Sequence, residues 1–220
     1  MLKLFLYITT LLWQIIGFRE NTLKVICLTG GLASGKSTAA SYLGTLGAHV
    51  IDADKLGHLA YDPGTQAYRQ VIDTFGEDIV ADDSHIDRKV LGGKVFGKPE
   101  ELKKLTDIVW PEIRRLAETE INGLDAAYPD DIVILEAAVL FEAGWEDIGE
   151  ECWVVIVDRE VAIKRSMERD GLEQEAVENR LNSQLTNDER VAKADIVFKN
   201  NDSLEALMDS LTSEWERISN

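Results

Sequence analysis

Five short apolar runs punctuate the chain: residues 25–29 (Val25-Ile26-Cys27-Leu28-Thr29), the stretch around Val50-Ile51, residues 132–135, residues 153–157 and Ile196-Val197-Phe198. Each is four or five residues long or shorter and reads as a buried strand. Between them lie stretches with apolar residues three and four apart. Residues 38–46 form the first of these, and Tyr68–Phe75 and Leu102–Val109 show the same spacing. Pro111, tolerated in a first turn, is expected to open a further long helix over 112–121. Val161–Arg169 and a last helix from a Ser203 cap to about Ile218 complete the series. Strands alternating with helices predict an α/β fold with a five-stranded parallel sheet flanked by helices. The mostly helical stretch 55–130, inserted between the second and third strands, suits a substrate-binding flap.

Residues 1–18 break this pattern, being strongly apolar without periodicity. A signal peptide lacks a visible small-residue cleavage site, and export would separate a nucleotide enzyme from its nucleotide. A membrane anchor is an alternative, although the run is short for a span and is interrupted by Thr9, Thr10 and Gln14. The preferred alternative is that translation begins near Leu23, because the first core strand follows at once. The expected organisation is therefore an N-terminal extension, 1–23, and one domain, 24–220.

At 220 residues the chain has room for a single α/β domain, and 45% hydrophobic with 29% charged residues describes an ordinary globule. A net charge of −17 leaves little basic surface, which argues against a nucleic-acid partner. Cys27 and Cys152 both lie in apolar runs and read as reduced core thiols. The three histidines are too widely spaced for a metal cluster.

Chemistry enters directly after the first strand. Gly30-Gly31-Leu32-Ala33-Ser34-Gly35-Lys36-Ser37-Thr38 fits G-x-x-x-x-G-K-S, with a strand before it and a helix after it. Backbone N–H groups of residues 31–38 are placed to surround phosphate, helped by the positive end of the following helix. Lys36 would reach the β- and γ-phosphates of ATP, and the Ser37 hydroxyl would take Mg²⁺. The second strand ends in Asp52-Ala53-Asp54, and alternation sets both carboxylates on one side of an extended backbone. Asp52 is read equally as a helix cap, whereas Asp54 reads as a site residue. Glu136, closing the third strand, is a candidate metal partner. Lys164, Arg165, Arg169, Arg180 and Arg190 gather positive charge in an acidic protein. Most such residues form an ion-paired solvated face, but Arg165 and Arg169 lie four apart on one helix face, where a lid could bring them to a phosphoryl group.

No N-K-x-D stands beside Asp54-Lys55-Leu56-Gly57, so a GTPase is not indicated. A small kinase fits. The motifs go further, since the chain resembles the dephospho-CoA kinase family over roughly residues 24–215. The resemblance rests on residues 28–38, on Val50–Asp54 and on Asp87–Leu91. Pro111–Arg114, Leu135–Glu142 and Arg169-Asp170 with Arg180 and Gln184 extend it. Residues 88–92 and 137–145 are most similar to the kinase domain of the eukaryotic bifunctional CoA synthase. The resemblance implies transfer of the ATP γ-phosphate to the ribose 3′-hydroxyl of dephospho-CoA in the cytoplasm. It implies Asp54 as general base, Arg165 or Arg169 as lid arginine and Asn200 in an adenine-contacting loop. Trp110 stands where many bacterial members have His, and Glu136 and Ala138 replace the common Asp and Pro. The alternatives are a kinase for another nucleoside or small alcohol, and a non-catalytic nucleotide-binding module tethered through residues 1–18.

Overall fold

The computed structural model describes residues 23–219. The expectations for residues 1–18 therefore lie outside the described residues. Five strands, β1 (Lys24–Gly30), β2 (His49–Asp52), β3 (Ile132–Glu136), β4 (Glu151–Ile156) and β5 (Ile196–Lys199), form one parallel sheet in the order β2-β3-β1-β4-β5. The apolar runs are unbroken because both faces of the sheet are covered. Val25, Cys27, Val133, Leu135 and Val154 point to one face, and Ile26, Leu28, Ile134, Trp153 and Val155 to the other.

On the second face lie α1 (Lys36–Leu46) and the last helix of the chain, α9 (Leu204–Ser219). The Ser203 hydroxyl accepts from the Ala206 amide at 3.2 Å, the cap expected there. On the first face lie α2 (Ala53–Leu59), α3 (Gln66–Phe75), α4 (Arg88–Val95) and α5 (Pro99–Ala127), the predicted insertion. Thr65 caps α3, and Asp87 caps α4 by accepting from the amides of Lys89 and Val90. After β4 come α6 (Arg159–Asp170), α7 (Gln174–Asn182) and α8 (Asn187–Val191).

Pro111 does not open a helix. It sits inside α5, a single 29-residue helix that joins the two segments expected separately. Proline removes one backbone donor and crowds the carbonyl four residues back. Here the buried stripe of Val109, Ile113 and Ala117 runs straight past it. Burial of that stripe on both sides of the proline outweighs one lost hydrogen bond.

Parallel pairing brings all five strand ends to the same edge. Leu28 is in register with Glu136, and Glu136 with Asp52. The loop after β1, the acid closing β3 and the start of α2 are thus neighbours by construction. No helix among the described residues is long and apolar enough to cross a membrane.

Candidate active site

The loop between β1 and α1 needs its glycines for stated reasons. A Cβ on Gly30 would lie 2.5 Å from both the Ser34 Oγ and the Val155 carbonyl oxygen. Gly35 has φ of 94°, and a Cβ there would come within 2.3 Å of Asn200 Nδ2. Ala33 also takes a positive φ, 54°, which coils the loop tightly ahead of α1. Asn200 is buried and donates to the Ser34 carbonyl at 2.7 Å. It holds the loop from below, on the turn after β5.

Four expected residues meet in one polar cluster at the strand ends. Lys36 Nζ donates to Glu136 Oε1 at 2.7 Å, and Ser37 Oγ donates to the same oxygen at 2.6 Å. Asp54 Oδ2 stands 3.4 Å from Lys36 Nζ on the other side. The Lys36 and Glu136 side chains are 11% and 6% exposed, whereas that of Asp54 is 52% exposed. The ammonium and Glu136 are therefore interior groups that compensate each other, while Asp54 faces the cleft. Asp52 is now decided as a cap: its carboxylate accepts from the Lys55 amide at 3.1 Å and pairs with the Lys55 ammonium.

The remaining expected residues lie across the loop. Arg165 and Arg169, Asn200, Ala33, Gly35 and Thr38 line one cavity of about 510 Å³. Arg169 is held by its neighbour Asp170 through two contacts of 2.7 and 2.9 Å. Arg165 makes no ion pair among the described residues. A second cavity, about 360 Å³, opens over Gly31, Leu32 and Ser34. Gln184 and Arg190 line its far wall; Gln184 Oε1 accepts from the Leu32 amide at 3.1 Å. Sequence reasoning placed neither residue against the loop. Arg190 was signalled only by membership of the basic, lid-like segment, and Gln184 only by the family resemblance.

A donor set for Mg²⁺ is present in kind. Ser37 and Glu136 offer hard oxygens at the loop's helix end, which suits an ion bound mainly by phosphates and water. No group of three or more acidic, His or Cys side chains forms a metal cage among the described residues. The set fits Mg²⁺ bound with a nucleotide.

A phosphate-binding loop leaving the central strand of this sheet, an interior lysine, and a helical insertion and an arginine-bearing segment at the same edge define a P-loop kinase. The family model for dephospho-CoA kinase matches residues 24–206. Dephospho-CoA kinase of Geobacter sulfurreducens is 42% identical over 195 residues, covering 89% of this chain and 98% of its own. Among solved structures, dephospho-CoA kinase of Campylobacter jejuni covers 89% of this chain and 96% of its own. Its TM-score is 0.67 at 30% identity. A Thermus thermophilus protein reaches a TM-score of 0.75 at 33% identity, covering 90% and 100% of the two chains. The chain belongs to the dephospho-CoA kinase family.

Proposed function

We propose that this kinase transfers the γ-phosphoryl group of Mg-ATP to the ribose 3′-hydroxyl of dephospho-CoA, giving CoA and ADP. The observation that carries the assignment of roles is the half-exposed carboxylate of Asp54, set 3.4 Å from the phosphate-loop lysine. A sugar hydroxyl held on the cleft side of Asp54 has a base on one side and, with the triphosphate bound at the loop, a phosphoryl group on the other. As the acceptor oxygen bonds to phosphorus, its proton passes to Asp54. The bond from phosphorus to the β-phosphate oxygen breaks, and its electron pair leaves on ADP.

Lys36 shifts from Glu136 to the β- and γ-phosphates when the triphosphate enters. Ser37 and Glu136 would hold Mg²⁺, which supplies neutralising charge to the phosphates when bound. Arg165, the less encumbered of the lid pair, takes phosphate charge beside Thr38, with the adenine placed toward Asn200 and Leu204 in the same cavity. On the acceptor side, His58 lies one helical turn beyond Asp54 on α2, and Arg88 contacts its ring and its carbonyl oxygen. The Arg88 guanidinium also stands 5.5 Å over the Tyr61 ring. This cation suits the pyrophosphate of the acceptor. A cytoplasmic enzyme is the reading that goes with ATP as the phosphoryl donor.

A coupled assay of ADP release with dephospho-CoA, adenosine and shikimate separates this function from kinases for other alcohols. Dephospho-CoA is expected to be turned over about 10⁴-fold more efficiently, since a site left with unpaired polar groups rejects the wrong acceptor at about that level. Equal turnover of all three would remove the assignment.

A further inference from the structure

Arg190 is a buried cation that the proposed chemistry has not used. It belongs to α8, a short helix closed by a Thr186–Glu189 capping box, so its position is fixed from its own element. Its side chain is 3% exposed. Nη1 donates to the Leu185 carbonyl, but Nε and Nη2 are buried without a hydrogen-bond partner. The nearest carboxylate oxygen, on Glu142, is 3.6 Å from Nη2. Buried polar groups are almost always satisfied, and a guanidinium short of partners calls for an explanation. Burial pushes its affinity for the proton down, and Glu142 and Glu189 oppose this. The group stays a cation, because arginine starts so high.

One guanidinium nitrogen, Nη1, stands against the phosphate loop. A Cβ on Gly31 would come within 3.3 Å of Arg190 Nη1. Both residues line the cavity of about 360 Å³, into which Gln184 also reaches to occupy the Leu32 amide. The helix end of a P-loop takes the α- and β-phosphates, and the lysine reaches the β and γ. Gly31 and Leu32 lie at the opposite, strand end of the loop. A phosphate there is the terminal one. Glycine at position 31 leaves open the space between the guanidinium and the loop.

We propose that Arg190 is a catalytic residue that binds the γ-phosphoryl group while it is transferred, with Gln184 holding the Leu32 amide until the nucleotide displaces it. The proposal rests on the kinase reading above. As the bond to ADP breaks and the bond to the acceptor oxygen forms, charge spreads over the three equatorial phosphoryl oxygens. Nη1, which has a second N–H beside the one given to Leu185, donates to those oxygens, and their charge also compensates the buried cation behind it, whose Nε and Nη2 lack partners. Because the guanidinium is already buried and positioned, it needs no lid movement to act. This separates it from Arg165, which lies on the exposed lid helix.

The test is Arg190→Met, which keeps the length and the apolar packing but removes the charge. The expected result is a fall in kcat of about 10²–10³-fold, the loss typical of one preorganised donor group, with ADP binding by calorimetry within threefold of wild type. A fall of less than tenfold, or one matched by an equal loss of ADP affinity, overturns the proposal. Should Arg190→Met fail to fold by circular dichroism, Arg190→Lys is judged by the same two criteria, since it keeps a cation facing Glu142. Both variants are compared with wild type on ATP hydrolysis by water as well as on dephospho-CoA. If wild type proved inactive on dephospho-CoA, the water reaction would still decide the role of Arg190. An unaffected variant would leave the substrate assignment standing.

Discussion

Glu136 accepts hydrogen bonds from Lys36 and Ser37 on a single oxygen, and both donors are also wanted by the nucleotide. A buried lysine left alone costs several kcal/mol, about 3–5 when one partner of such a pair is deleted. The carboxylate therefore keeps the phosphate-loop lysine in place before ATP arrives. Asp54 stands in a different situation, half-exposed and touching Lys36 only at 3.4 Å. Asp54→Asn should accordingly leave ADP and ATP affinity within about twofold and stability near wild type, while kcat falls by about 10²–10⁴-fold, the range for a lost general base. Stopped-flow transfer assays beside calorimetric nucleotide titration measure both. A fall in kcat below tenfold would assign the proton to another acceptor. The lysine, the serine and the two carboxylates were legible in the sequence because motif spacing and strand ends dictate them. The placement of Arg190 and Gln184 was not: the basic segment and the family resemblance named them, but what sets them in the site is packing against Gly31 and Leu32, about 150 residues away in the chain, and no local pattern encodes that contact. Asp52 was ambiguous because a strand-end carboxylate serves cap and site equally well until the Lys55 amide is seen to claim it.

The buried strands were readable because a doubly covered parallel sheet demands unbroken apolar runs. The helix α5 was not, because Pro111 is a local signal for a boundary while Val109, Ile113 and Ala117 are a tertiary one. Their competition sets a measurable balance. An interior proline costs a helix about 3 kcal/mol, offset by about 0.4–1 kcal/mol of restricted unfolded chain. Pro111 is exposed, so replacing it disturbs no core. Pro111→Ala should raise stability by roughly 2 kcal/mol in urea denaturation. A loss of stability instead would mean that the insertion requires the bend a proline brings. The cysteines belong to the same level: Cys27 and Cys152 face each other in register on β1 and β4, both buried and free. The Cys27 thiol keeps its proton toward the neighbouring Cys152 sulfur, and this contact and burial push it well above its ordinary range, which keeps it an inert core residue.

Across the whole molecule, a net charge of −17 at pH 7 coexists with cations spent on particular carboxylates. Arg217 of α9 grips Glu151 of β4 through contacts of 2.9 and 2.6 Å, and its hydrogen bonds hold that carboxyl below the usual range against burial. Arg114 does the same for Asp147. Their folded-state affinities for the proton are lowered, so their stabilisation is present above the unfolded values of about 4. It is lost as pH falls through the lower folded values. Melting temperature should therefore change little from pH 8 to about 5 on account of these groups, then drop below about pH 4. Glu151→Gln should lower the plateau and make the acid decline shallower. An unchanged acid decline would show that the Arg217 contact does not bear on folding.

The chemistry of the assembled site converges on one product. Wild-type protein given dephospho-CoA and Mg-ATP should yield CoA, seen by mass spectrometry as one added phosphoryl group and by phosphorus NMR as a new monoester on the ribose 3′-oxygen. Phosphate appearing elsewhere on the acceptor, or no product above that formed with adenosine or shikimate, would contradict the placement of the acceptor hydroxyl between Asp54 and the phosphate loop.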